Sequence, residues 1–124
     1  MLERPLTTGI NPKYGEIWDV DFDPTRGSEM SKRRPAVVIS IDEVGILPMK
    51  LVAPITSKQV GRKALLWHVE AHPNADNGLA TESTIDCLQL MRADLERFKS
   101  RRGKVDQDTM TRIKAAVKLV VGIE

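Results

Sequence analysis

GEIWDVDFDPTRGSEMSKRRPAVVIS, residues 15–40, contains two strands and the loop that joins them, and its reading decides the fold. From Glu16 to Phe22 the residues alternate, with Trp18, Val20 and Phe22 on one side and Asp19 and Asp21 on the other. That is the period of a half-buried strand. A turn follows in DPTRG, because Pro24 presets its φ and Gly27 tolerates a positive one. Pro35 to Ile41 is continuous in apolar residues, as expected of a central strand. Between the two strands, Lys32, Arg33 and Arg34 run directly into Pro35. The densest positive charge of the chain therefore sits on the lip of its core, as a solvated turn or as a site for an anion.

Outward from this pair, three more strands are expected at Leu51 to Ile55, Leu65 to Glu70 and Thr84 to Leu90, all rich in Val, Ile and Leu. The segments between them carry Gly45, Pro48, Gly61, Pro73, Asn74, Asn77 and Gly78 and read as loops. A short helix is expected from about Ala93 to Phe98. The period then changes for good: in VDQDTMTRIKAAVKLVVGIE, Met110, Ile113, Val117 and Val120 share one helical face. Asp106 suits the N-cap, Asp108 the first turn and Gly122 the C-cap. Residues 1–14, with Pro5, Gly9 and Pro12, read as an irregular arm, and residues 15–124 as one domain. Short strands followed by one long amphipathic helix predict a mainly β fold, a small and partly open barrel with a helix across it.

Composition narrows the function classes. A net charge of +2 is too small for a general nucleic-acid coat, so any polyanion must be met by local placement of charge. Aromatic residues make up 4% of the chain, which argues against a surface built from base-stacking rings. No apolar run approaches the roughly 20 residues that cross a bilayer. The opening MLERPLTTGINPKYG has no apolar segment of signal-peptide length, so a cytoplasmic protein without membrane contact is expected. Cys87 is the only cysteine and reads as a buried, inert thiol.

Asp19, Asp21 and Asp23 open like a calcium loop, but Pro24 replaces the required glycine and Met30 the bidentate glutamate. No metal site is expected there. His68 points opposite to Trp67 and Val69 and so can face a cleft, whereas His72 precedes Pro73 in a loop. Arg34 has the better mounting, a cationic loop before it and a proline-stiffened strand after it. Ser28 and Glu29 belong to the same loop and can orient the guanidinium. Thr56, Ser57 and Lys58 end another strand in APITSK. If the two strand ends lie together, Arg34 and Thr56 form a pocket suited to a phosphate.

The ordered set resembles the MazF/PemK family of toxin endoribonucleases, the toxic halves of type II toxin–antitoxin pairs. The family order is G-[DE] and a hydrophobic strand, D-P-[ST]-x-G-x-E, a short basic loop, R-P, and a Val/Ile-rich strand. The likeness continues through LVAPITSK, STIDCLQL and the terminal VVGIE, and so spans nearly the whole chain from Gly15. It implies an SH3-like barrel of the CcdB/MazF type, a homodimer, and cleavage of single-stranded RNA without metal or other cofactor. It implies Arg34 and Thr56 as the cleaving pair, with Glu29 and His68 as possible support. It also implies that Gln89 helps line the RNA channel; Ser28, Lys32, Arg33, Ser57 and Lys58 are expected as further RNA contacts, with Arg26, Arg62 and Lys63 as additional cations on the basic loops. The implied products are a 2′,3′-cyclic phosphate and a 5′-hydroxyl, and the implied partner is an acidic, partly disordered antitoxin. Met30, Leu88 and Met91 depart from the family pattern, which bears on the bases read rather than on cleavage. A non-catalytic toxin of the CcdB type, binding a protein such as gyrase, is the alternative.

Overall fold

Ile17 and Trp18 are neighbours on one strand, point to opposite faces, and are both buried. Their strand must therefore be covered on both sides. The computed structural model describes residues 10–22, 33–44, 47–58 and 63–124. Its strands are β1 (Glu16–Asp21), β2 (Arg33–Val38), β3 (Met49–Ser57), β4 (His68–Ala71), β5 (Ser83–Asp86), β6 (Met91–Asp94) and β7 (Phe98–Lys104), followed by the helix α1 (Gln107–Val120). All form one sheet in the order β4-β5-β3-β2-β1-β7, with β6 also on β3, and every ladder is antiparallel. Ser28, Glu29 and Lys32, the DPTRG turn beyond Phe22, and Arg62 lie outside the described residues.

Long β3 organises the sheet by dividing its edges. Met49 to Val52 pair with β6, while Ile55 to Ser57 pair with β5. The partner changes midway along β3, and the two faces of the sheet enclose separate cores. One gathers Ile17, Val37, Ala53, Ile55, Val69 and Ile85 beneath Met110, Ile113 and Ala116 of α1. The other holds Trp18, Val20, Ala36, Val38, Val52, Ala93 and Phe98, with the Trp18 and Phe98 rings edge to face at 5.9 Å. Each fully buried aliphatic side chain contributes roughly 1.5–3 kcal/mol, so two faces of Val and Ile hold the strands in one register. Among the described residues no ladder joins β7 to β4, and the barrel stays open.

The helix is built as its sequence specifies. Asp106 caps it by accepting from Thr109 N at 2.7 Å, and Gly122 leaves it at φ +78°. Among the described residues no helix is long and apolar enough to cross a membrane.

The helix expected from Ala93 to Phe98 is not formed. Ala93 pairs with Lys50 in β6, residues Leu95–Arg97 make a single 3-10 turn, and Phe98 opens β7. Ala93 and Phe98 are drawn into the Trp18 core, which a strand and a tight turn reach. Strand β7, FKSRRGK, has no apolar alternation to betray it. Ions stabilise it on β1 instead: Arg101 Nε reaches Glu16 Oε2 at 2.8 Å, and Arg102 Nε reaches Asp19 Oδ1 at 2.7 Å. Asp19 is thus an ion-pair residue of the sheet. Gly103 lets β7 pass the turn before β5, since a Cβ there would meet Asp76 O at 2.1 Å.

The remaining strands keep their expected places with shifted ends. Strand β2 starts at Arg33, so Arg34 is already a ladder residue, opposite Val20. Strand β5 stops at Asp86, whose side chain accepts from Leu88 N and turns the chain into the 3-10 turn Cys87–Gln89.

Candidate active site

Strand alternation builds the site. Ile55, Ile85 and Val69 lie side by side across β3, β5 and β4 and face the core. Their neighbours Thr56, Thr84 and Glu70 form the next row and must face outward. Beyond them His68 stands opposite Asp86. On the other edge of β3, Ala36 pairs with Pro54. Carried two residues further along both strands, that register brings Arg34 level with Thr56.

These side chains line a cleft of about 500 Å³. Arg34 enters from β2, Thr56 and Ser57 from β3, Lys58 from just past its end, Lys63 and Ala64 from the approach to β4, and His68 and Glu70 from β4 itself. Thr84, Asp86 and Gln89 complete the wall. The two residues singled out for a phosphate, distant in sequence, thus open on one space.

The cleft is electrically mixed. Arg34, Lys58 and Lys63 bring positive charge, Glu70 and Asp86 negative. Lys58 Nζ already contacts Glu70 Oε1 at 3.1 Å. His68 is held at both nitrogens: Leu65 N–H donates to Nδ1 at 3.2 Å, and Nε2 faces Asp86 Oδ2 at 3.8 Å. A backbone N–H can only donate, so the neutral ring carries its own proton on Nε2. Gln89 donates its Nε2 to Asp86 Oδ2 at 2.7 Å.

Other candidates lie elsewhere. Arg33 is exposed on β2 opposite Asp21 and does not line the cleft. His72 pairs with Glu82 away from it. Among the described residues no three His, Cys, Asp or Glu side chains are grouped to hold a metal ion. Cys87, next to Asp86 in the chain, is buried; burial, then the Asp86 carboxylate, pushes its thiol up to about 11, so it is no nucleophile.

Sequence reasoning overlooked Glu70, Thr84 and Asp86. The signal was available, because each alternates with a buried residue, Val69 or Ile85, and so shares the outward face with His68 and Thr56.

Comparison with known proteins adds a second line. The family model described as a PemK-like, MazF-like toxin of type II toxin–antitoxin systems matches residues 13–121. Endoribonuclease MazF9 of Mycobacterium tuberculosis is 32% identical over 114 residues, 86% of this chain and 93% of that protein. The endoribonuclease toxin MazF of Escherichia coli is 30% identical over 115 residues, 90% and 95% of the two chains. Among solved structures, MazF of Deinococcus radiodurans superposes with a TM-score of 0.73 at 21% identity, covering 92% of this chain and 99% of that one. A mycobacterial endoribonuclease solved with its cognate antitoxin gives 0.74 at 16% identity, with 91% and 97% covered. At such identities the two structures speak to the fold.

Proposed function

The chain belongs to the PemK-like, MazF-like toxin family of type II toxin–antitoxin systems, and from that premise we propose that it is a metal-independent, sequence-selective endoribonuclease of single-stranded RNA. One observation carries the reading: Arg34 and Thr56 open on the same cleft, beside Lys58 and Lys63. That is the grouping a scissile phosphodiester requires.

In the proposed reaction the ribose 2′-oxygen attacks the adjacent phosphorus in line. The P–O2′ bond forms and the P–O5′ bond breaks, leaving a 2′,3′-cyclic phosphate and a 5′-hydroxyl. Arg34 stabilises the phosphorane, since its forked donors match two phosphate oxygens. Thr56 donates one more hydrogen bond to the same charge. A guanidinium stays protonated below a pH of about 12, so Arg34 is no base. Its role with protons is to supply one late to the departing 5′-oxygen. Neutral His68 has no free lone pair in this arrangement, which leaves Glu29 or water to take the 2′ proton. Arg33, Lys32, Ser28, Ser57, Lys58 and Gln89 are the proposed contacts along the strand. Bases must be unstacked to be read, so structured RNA resists.

The partners follow from the same premise. Relatives of this fold have been solved as a mycobacterial endoribonuclease with its cognate antitoxin and as MazE–MazF of Deinococcus radiodurans. We extend to this chain a homodimer, held inactive in the cytoplasm by an acidic, partly disordered antitoxin that covers the cleft.

The test is incubation of purified protein with one long RNA and the matching DNA in the presence of a chelator. Discrete cuts with cyclic-phosphate ends, and intact DNA, are expected. Uncut RNA overturns the nuclease, and capture of gyrase by the same sample would establish the CcdB-type alternative in its place.

A further inference from the structure

Both oxygens of the Asp86 carboxylate are committed inside the cleft. Oδ1 accepts from Leu88 N at 3.1 Å, which caps the turn after β5. Oδ2 accepts from Gln89 Nε2 at 2.7 Å and faces His68 Nε2 at 3.8 Å. The His68 and Asp86 side chains are only 18% and 16% exposed, so water competes weakly for these contacts.

The chemistry of the acceptor dictates how its neighbours stand. An ionised carboxylate has no hydrogen to donate. The Gln89 amide must therefore turn its nitrogen to Asp86 and leave its carbonyl oxygen, an acceptor, for whatever fills the cleft. The Leu65 N–H on Nδ1 assigns the His68 proton to Nε2, the side that Asp86 attracts. An anion in a cleft for phosphates opposes binding by simple repulsion. Its presence makes sense if it sets the geometry of groups that touch the substrate.

The geometry points to Asp86 as a positioning residue of the RNA-cleaving site, one that holds Gln89 with its carbonyl oxygen toward an incoming base N–H and draws the Nε2–H side of the His68 ring toward itself. This deepens the nuclease reading and rests on it. Asp86 itself touches no substrate; it acts through Gln89 and His68.

Asp86→Asn separates this role from the cap. The asparagine oxygen still accepts from Leu88 N, but an NH2 replaces Oδ2 and confronts two N–H donors. In the RNA-free protein, at alkaline pH where imidazole is neutral, the His68 Nε2–H signal should shift as the carboxylate facing it is lost. The Gln89 side-chain amide signals should shift with them. Cleavage efficiency, as kcat/KM, should fall about tenfold or more, the scale of one lost charge-assisted hydrogen bond. In a His68→Ala/Gln89→Ala background the same substitution should change cleavage by less than about twofold, because the residues it acts through are gone. Unchanged His68 and Gln89 signals overturn the proposal, and so does a full loss of activity that persists in that background. Asp86→Ser, which keeps a capping oxygen and removes the second one, provides the same readings if the asparagine variant does not fold. The spectroscopic arm needs no cleavage, so a wild-type protein that leaves RNA intact sinks the nuclease reading while Asp86 is still judged by its neighbours' signals.

Discussion

Lys58 Nζ and Glu70 Oε1 meet at 3.1 Å on the wall of the cleft that also holds Arg34. Glu70 occupies the place on Lys58 that a phosphate oxygen would take. Glu70→Gln should release the ammonium for RNA and remove a repelling charge. Measured on an Arg34→Ala background, which should prevent cutting, RNA affinity should rise and the log–log salt dependence should steepen by about 0.7, one added phosphate contact on a single strand. Filter binding across a salt series reads both quantities. Unchanged affinity and slope would show that Lys58 makes no phosphate contact.

Arg34 and Thr56 test the chemistry itself. Arg34→Lys keeps the charge and loses the fork, so cleavage should drop sharply although the protein remains folded. Thr56→Val removes the proposed hydrogen-bond donor to the phosphorane and should cost about 2.7–4 kcal/mol in barrier height, or roughly 100- to 1,000-fold in rate. Both side chains are exposed at strand ends, so melting temperatures should hardly move. Single-turnover cleavage of one defined RNA decides; a wild-type rate for Arg34→Lys would rule out bidentate stabilisation.

Glu16 links β1 to its surroundings and should shape the acid limb of stability. Burial pushes its carboxyl up, but hydrogen bonds from Trp18 Nε1 and Lys13 N at 2.9 Å, and from Arg101 Nε at 2.8 Å, together hold it below 4.5. A carboxyl lowered in the folded state adds stability above its ordinary value and loses it as pH falls through the folded one. Glu16→Gln should therefore destabilise by about 1 kcal/mol at neutral pH, the scale of weakening a half-buried, partly screened charged acceptor. The gap to wild type should close in acid. Urea unfolding at several pH values measures both.

Cys87 should be silent in the native protein. Its thiol is pushed up from 9.0 to about 11 by burial and by Asp86, so alkylating reagents should modify it only after unfolding. The sign for stability is the reverse of Glu16. A thiol raised in the folded state adds stability below 9.0 that is lost as pH rises toward about 11. Cys87→Ala should flatten that alkaline decline. Mass spectrometry of alkylated protein, with and without urea, checks the first claim, and alkaline melting curves check the second.

Ile113 sits at the centre of the contact between α1 and the sheet and is almost fully buried. Ile113→Ala should cost about 2–5 kcal/mol, the range for deleting a large aliphatic side chain from a packed core. Denaturant unfolding at equilibrium measures it.

Much of this molecule is legible in its sequence because burial writes a local period. The alternation of Trp18, Val20 and Phe22 marks β1, the apolar run after Pro35 marks β2, and Met110, Ile113 and Val117 mark α1 with its Asp106 cap. The outward turn of Thr56 and His68 follows from the same rule. Strand β7 escapes it, since its charged residues earn their place through partners on β1 more than 80 positions away in sequence, Arg101 on Glu16 and Arg102 on Asp19. Ala93 to Phe98 misleads for a related reason, its two apolar ends fitting either a helix or a strand and turn until the Trp18 core selects one.

The sequence by itself singled out Arg34 and Thr56 as candidates and determined which face each strand residue takes, because side-chain direction is a local property of the backbone. Only the tertiary structure decided that Arg34 and Thr56 share a cleft with Glu70, Thr84 and Asp86, and that Asp86 grips Gln89 while facing His68. Those relations come from strand register, which is set by how the two cores pack across the whole sheet and is written in no single stretch of the chain.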